Sequence, residues 1–338
     1  MHDRALSDVA AAMVDQGKGV LAADESVATI SKRFKAHGIE STEETRRSYR
    51  QLLFSHDELP SMVSGVILHE ETLGQRSNDG TPFPQFLDAR GILPGIKVDI
   101  GTRPLCGAPG ELVTNGLDGL EDKVAGYREA GARFAKWRAV LRIGTGMPSP
   151  WALQVNADAL ARYAGLCQQG DLVPIVEPEV LMEGDHDLDT CAAVTRRVLA
   201  EVIGCLVTAG VDLRAMVLKP SMVVPGAEGP PATVSEVAAA TIRCLLDTVP
   251  ASVPGVAFLS GGQPGPLATA HLDAIVRQGP HPWGVTFSYG RALQDNPLRI
   301  WDGEHANVDA AQAALIARAR CNSAAALGRY DEALEAAS

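Results

Sequence analysis

Hydrophobic positions along the chain alternate between two patterns. Short, nearly continuous apolar runs of strand length recur, and longer segments with helical period separate them. The runs cover residues 19–24, 63–69, 91–99, 133–138, 172–178, 214–219, 255–260 and 283–288. Their continuous apolar character predicts strands buried on both faces. Between them, Leu117, Leu120, Val124, Tyr127 and Gly131 repeat at helical spacing. Val194, Val198, Val202 and Leu206 do the same, with Leu199 and Ile203 beside them. Ser41 with Glu44, and Thr233 with Glu236, have the spacing of a capping box and mark helix starts. A last amphipathic stretch covers about residues 308–337. The Pro- and Gly-rich pieces 225–231 and 262–266 are short enough to be loops rather than interdomain linkers, and no sequence repeat interrupts the pattern.

Eight strands alternating with helices predict an α/β chain folded as one closed parallel barrel, the (β/α)8 TIM barrel. The expected organisation is a single domain over residues 1–338, with an N-terminal helical extension and a C-terminal helix. An open doubly wound sheet would carry Gly-x-Gly-x-x-Gly after an early strand. The first strand is followed instead by Asp24-Glu25-Ser26, and no phosphate-loop Gly-Lys-Ser/Thr occurs.

Composition narrows the functional classes. With 46% hydrophobic and 21% charged residues, the chain is a folded protein rather than a disordered one. The 30 basic and 41 acidic residues leave a net charge of −11, which speaks against a general nucleic-acid or anionic-membrane binder. An anionic substrate must therefore meet a local cluster of cations. Asp3, Asp8 and Asp15 interrupt the first residues, so no signal peptide is expected, and no uncharged apolar run approaches a membrane span. The cysteines Cys106, Cys167, Cys191, Cys205, Cys244 and Cys321 form no Cys-x-x-Cys pair. They read as buried free thiols of a reducing, cytoplasmic compartment.

In a barrel, chemistry belongs to the C-terminal strand ends and the loops after them. Those ends are polar here: Asp24, Lys97, Lys136 with Arg138, Glu177 with Glu179, Lys219, Ser260-Gly261-Gly262, and Ser288-Tyr289-Gly290-Arg291. A single strand-end lysine can snorkel to water or pair with a carboxylate. Lys97, Lys136 and Lys219 at one mouth suggest more, because a lysine near other cations loses its proton more easily. The free amine can attack a ketone carbonyl and form a Schiff base. Lys219 is the best candidate, since Val217 and Leu218 precede it and Pro220 turns the chain out of the strand. Glu177 and Glu179 flank Pro178; they either split their pKa values and serve as acid and base or balance the neighbouring cations.

The glycine-rich segments after strands seven and eight lie where barrel enzymes often bind phosphate. Glycine permits close backbone approach to an anion, and Arg291 adds a forked cation. Ser26 and Thr29 could hold a second phosphate with Lys97, or cap a helix. His69, His186, His271 and His281 are scattered, without metal-ligand spacing, and Gly184-Asp185-His186-Asp187 reads as a turn and helix start.

Seven stretches in order carry a family resemblance: Leu21-Ala22-Ala23-Asp24-Glu25-Ser26, Gly95-Ile96-Lys97-Val98-Asp99, Phe134-Ala135-Lys136-Trp137-Arg138, residues 173–179, Leu218-Lys219-Pro220, residues 258–263, and Phe287-Ser288-Tyr289-Gly290-Arg291. From about Gly17 to Gly328 the chain resembles the class I, Schiff-base fructose-1,6-bisphosphate aldolases. The resemblance implies reversible cleavage of fructose 1,6-bisphosphate to dihydroxyacetone phosphate and glyceraldehyde 3-phosphate, within glycolysis and gluconeogenesis. It also implies no metal or other cofactor, and a homotetramer with no nucleic-acid or membrane partner. By position, Lys219 matches the Schiff-base lysine and Glu177 the acid/base carboxylate, with Glu179 beside it. Asp24 matches the carboxylate that holds the C4 hydroxyl, and Lys136 the lysine that assists carbinolamine formation. Ser260, Gly261, Gly290 and Arg291 match the 1-phosphate site and Arg33 its mobile arginine, while Ser26, Thr29 and Lys97 match the 6-phosphate end. Gly262, Ser288 and Arg138 join the candidate substrate contacts.

The chain departs from the family pattern in three places. Val27-Ala28 replace Thr-Gly and Thr29 replaces a serine, which bears on the 6-phosphate grip. The chain ends Ala336-Ala337-Ser338 where the family carries a mobile tail with a terminal tyrosine, so slower enamine protonation, or protonation by another group, is expected. Tyr330 matches an upstream tyrosine, and Ile100 stands where a charged residue is usual. The alternatives are a Schiff-base relative acting on sedoheptulose 1,7-bisphosphate or fructose 1-phosphate, a metal-dependent aldolase, and a non-catalytic sugar-phosphate-binding scaffold. Ketose preference would then reside in loops such as residues 78–82 and 225–231.

Overall fold

The computed structural model describes residues 5–336. Its centre is a closed barrel of eight parallel strands: β1 (Gly19–Ala23), β2 (Val63–Leu68), β3 (Leu93–Lys97), β4 (Phe134–Leu141), β5 (Val173–Val180), β6 (Val217–Leu218), β7 (Gly255–Phe258) and β8 (Gly284–Tyr289). Each strand pairs with its sequence neighbours, and β8 closes onto β1 with Val20 opposite Ser288. All eight apolar runs are strands, with ends shifted by a few residues. The largest shift is in the run 214–219, where Leu213–Ala215 form a turn of 3-10 helix and only Val217–Leu218 remain as strand. The ladder nevertheless continues, because the Lys219 amide donates to the Val176 carbonyl at 2.8 Å.

Strand residues alternate between two environments. Leu21, Val66, Ile96, Trp137, Val176, Leu218, Phe258 and Phe287 belong to the larger cluster that joins the barrel to its helices. Val20, Ala22, Ile67, Phe134, Val173, Ile175, Val217 and Ala257 form a second cluster inside the barrel with Val9, Ala10, Met13 and Val14. The helix Leu6–Met13 thus stoppers the N-terminal end, which accounts for the N-terminal extension. Room for this filling comes from glycines: a Cβ on Gly95 would fall 2.1 Å from the Phe134 ring.

Outer helices start where side-chain caps allow. Thr233 and Glu236 form the expected capping box. The pair Ser41 and Glu44 does not: Thr42 caps the helix Glu43–Phe54, its hydroxyl accepting from the Thr45 amide at 3.0 Å, while Ser41 bonds Ser31 instead. Asp187 caps Leu188–Thr208, so the 184–187 segment is a turn and helix start. The C-terminal stretch is not one helix but two, Val308–Ala326 and the short Ala333–Ala336, with Gly328 between them at φ 66°. The last two residues of the expected stretch and tail, Ala337 and Ser338, lie outside the described residues. Four of the six cysteines are buried, but Cys106 is exposed and Cys205 partly so, because they sit on a surface turn and an outer helix face. Among the described residues, no helix is long and apolar enough to cross a membrane.

Candidate active site

Strand periodicity delivers the site. Positions two apart on a strand share a face, so each inward row runs from apolar at the bottom to polar at the top. On β4 the row is Phe134, Lys136, Arg138; on β5 it is Val173, Ile175, Glu177, Glu179. On β1 it ends at Asp24, after β3 at Asp99, and after β6 at Lys219. These rows meet at a cleft of about 580 Å³ at the C-terminal mouth.

The floor of the cleft is a chain of alternating charges. The Lys136 ammonium lies 2.7 Å from Asp24 Oδ2, 3.3 Å from Glu177 Oε2 and 4.0 Å from Asp99 Oδ2. The second oxygen of Glu177 meets the Lys219 ammonium at 3.1 Å. Lys97 pairs with Asp99 at 2.6 Å, and Arg138 with Glu179 at 3.0 Å. Lys136, Lys219, Glu177 and Glu179 are all less than one-tenth exposed. Buried charges at this density persist only when paired.

The pairing sets the ionisation. Burial opposes the charged form of Asp24, but the Lys136, Lys219 and Lys97 ammoniums outweigh it and hold the carboxyl well below its ordinary range. Burial likewise opposes the Lys136 ammonium, and Asp24, Glu177 and Asp99 more than offset it, so its pKa rises. Glu179 goes the other way: burial dominates the attraction of Arg138 and raises its pKa, with the Glu177 charge adding to the rise.

The far wall is made of two glycine turns, a buried hydroxyl and an arginine. Gly261 and Gly262 have φ of 58° and 91°, left-handed values that favour glycine, and the Gln263 amide closes the turn onto the Ser260 carbonyl at 2.9 Å. Gly290 caps the helix Arg291–Trp301, whose first amides have no intrahelical acceptor. Ser288 is 1% exposed with its hydroxyl unpartnered, and no hydrogen bond or ion pair engages Arg291 among the described residues. Both residues line the cleft.

Ser26 and Thr29 also line it, and the helix-cap reading is the one their hydrogen bonds show. Ser26 caps the helix Val27–Ala36, its hydroxyl accepting from the Thr29 amide at 3.3 Å and lying 3.0 Å from the Thr29 hydroxyl. Arg33 reaches the cleft from the same helix.

Every sequence-proposed residue lines the cleft except Gly262, which stands behind Gly261 as the second half of the turn. The loops 78–82 and 225–231 do not reach it either. The latter is tied down by its neighbour, with the Gly226 amide bonded to the His186 carbonyl at 2.8 Å. Tyr330 also lies outside the lining, its hydroxyl donating to Glu335 at 2.8 Å. Glu25, His69, Glu70, Asp99, Lys123 and Tyr127 line the cleft and escaped the sequence reading. Asp99 and His69 follow inward residues by two, so strict periodicity would have found them. Glu25, Lys123 and Tyr127 had no such signal.

Comparison with known proteins gives the family. The sequence matches the family described as fructose-bisphosphate aldolase class-I over residues 5–338. It is similar to a probable fructose-bisphosphate aldolase class 1 of Xanthomonas campestris, 50% identical over 96% of this chain and 98% of that one. It is similar to the cytosolic fructose-bisphosphate aldolase 6 of Arabidopsis thaliana, 52% identical over 93% of this chain and 88% of that one. Among solved structures it resembles the fructose-bisphosphate aldolase of Plasmodium falciparum, determined in complex with TRAP and a small-molecule inhibitor, with TM-score 0.95 and 48% identity over 96% of this chain and 95% of that one.

Proposed function

The chain belongs to the class-I fructose-bisphosphate aldolases, and from that premise we propose how its own residues carry out the reversible cleavage of fructose 1,6-bisphosphate. Lys219 forms the Schiff base with C2 of the open-chain ketose, and no metal takes part. The observation that carries this reading is the shared carboxylate: Glu177 lies between Lys219 at 3.1 Å and Lys136 at 3.3 Å. Nucleophilic attack needs a neutral amine, and Glu177 is the group in contact that can take the ammonium proton. The same carboxyl then returns a proton to the departing C2 hydroxyl, and water leaves as the iminium forms. Lys136 assists by keeping its charge beside the carbinolamine oxygen.

Ionised Asp24 accepts the hydrogen bond of the C4 hydroxyl. The C3–C4 electron pair moves into the iminium as the C4 hydroxyl proton passes to the carboxylate cluster, and glyceraldehyde 3-phosphate leaves. Protonation of the resulting enamine at C3 and hydrolysis then release dihydroxyacetone phosphate and free Lys219. Two phosphates bring about four negative charges near neutrality. Ser260, Gly261, Ser288, Gly290, Arg291 and Arg33 would hold the 1-phosphate; Ser26, Thr29 and Lys97 would hold the other, with Arg138 and Glu179 flanking the sugar. Because the loops 78–82 and 225–231 stand away from the cleft, ketose preference would be set by its lining residues.

The test is borohydride trapping with fructose 1,6-bisphosphate followed by peptide mass spectrometry. An adduct on Lys219 is expected, and a folded, ligand-binding protein without one would refute the mechanism. We also place the enzyme in glycolysis and gluconeogenesis in the cytoplasm, as a homotetramer. Sedimentation velocity would test the tetramer.

A further inference from the structure

Arg33 lines the cleft, but its guanidinium is already engaged at both ends. Nη2 lies 2.9 Å from Oδ1 of Asp295, while Nη1 is paired with Glu25 and donates to the Gln294 side-chain oxygen at 3.3 Å. The other Glu25 oxygen faces buried Arg50 at 3.0 Å. Two arginines thus face two carboxylates, and the group offers no net charge to an arriving phosphate.

The two carboxylates are not equally removable. The Glu25 side chain is 13% exposed and would strand Arg50 if it let go. The Asp295 side chain is 66% exposed, so water takes over its carboxylate at little cost. Asp295 also stands four residues after Arg291 on the helix Arg291–Trp301, on the same face one turn away.

We infer that Asp295 is a positioning residue: it holds Arg33 by Nη2 and yields it to the substrate's 1-phosphate, so it sets how tightly that end of the ketose binds. The inference rests on the assignment of Arg33 and Arg291 to the 1-phosphate. The exchange is a swap of ion partners, in which Arg33 keeps its proton, the phosphate replaces the carboxylate, and water solvates Asp295. Nothing in it touches C2, C3 or C4, so it acts on binding rather than on turnover.

The test is Asp295→Asn, which keeps the shape and removes the charge. KM for fructose 1,6-bisphosphate should fall about threefold to fivefold with kcat within twofold of wild type, the size expected for releasing an exposed ion pair. KM for fructose 1-phosphate should fall by the same factor, and inorganic phosphate should inhibit more tightly to match. In an Arg33→Gln background the same change should give no further gain. Unchanged KM and phosphate inhibition would overturn the inference. So would a gain confined to the bisphosphate, which would place the effect at the other phosphate, or a gain that persists without Arg33. If the wild type cleaved neither ketose phosphate, the functional reading would fall separately. Calorimetric titration of inorganic phosphate into wild type and Asp295→Asn would then still decide the role of Asp295, equal affinities counting against it.

Discussion

One strand, β4, shows the two ends of the barrel interior side by side. Its inward row starts at Phe134, fully buried among Val20, Ile67, Val173 and the N-terminal helix. Two residues on, Lys136 is just as enclosed but contacts three carboxylates, Asp24, Glu177 and Asp99. Both positions lie inside one sheet and both are buried. At the bottom, space is the constraint, met by glycine under an aromatic ring. At the top, charge is the constraint, met by alternating partners. Packing defects should therefore cost stability at one end, and pairing defects should cost chemistry at the other.

The sharpest break in this comparison is Lys219→Met. Turnover should fall by about 10⁵–10⁶, the size seen when a covalent nucleophile is removed. The borohydride adduct should vanish while the circular dichroism stays native, because Glu177 keeps Lys136 as a partner. Glu177→Gln should cost about 10²–10⁴ in kcat, as loss of a positioned acid/base does. Stopped-flow trapping would show its adduct forming more slowly.

At the other end, Met13→Ala should destabilise by about 2–5 kcal/mol, and Gly95→Ala, driven into the Phe134 ring, by about 1–3 kcal/mol or more. Urea denaturation measures both, and the kcat of the folded fraction should stay within twofold of wild type. A bottom variant that lost turnover without losing stability would break the division between the two ends.

The smallest effect is in pH. Asp24 has a folded pKa below its ordinary 3.8, so its contribution to stability is present above that value and is lost as pH falls below it. Wild type should lose stability on acidification below about pH 4 more steeply than Asp24→Asn. Glu179 has the opposite sign: its folded pKa lies above 4.5, so its ionisation costs stability as pH rises past that value. Glu179→Gln should gain on wild type over that interval, and the two slopes read from denaturation midpoints would separate the paired carboxylate from the desolvated one.

Much of this site was legible beforehand because parallel-barrel strands are apolar until their last inward residues. A lysine or carboxylate ending such a run, as in Lys219 or Glu177, stands out from the sequence alone. Asp99 was overlooked because its neighbour Lys97 drew attention, although the two share an inward row. Glu25 lay next to Asp24 with nothing to distinguish it from a solvated loop residue. Only its contacts with Arg33 and Arg50 mark it. The Ser41 cap failed because two adjacent hydroxyls competed and the local backbone chose Thr42.

Periodicity within a few residues was enough to specify the eight strands, their burial on both faces and the polar residues at their ends. Which charges meet was decided by tertiary structure alone. Asp24, Lys136, Glu177 and Lys219 come from four strands spread over nearly two hundred residues, and Asp295 reaches Arg33 across 262 positions. Closure of the barrel and its register bring them within 3 or so Å, and at that range burial and Coulomb attraction, not sequence order, choose the partners.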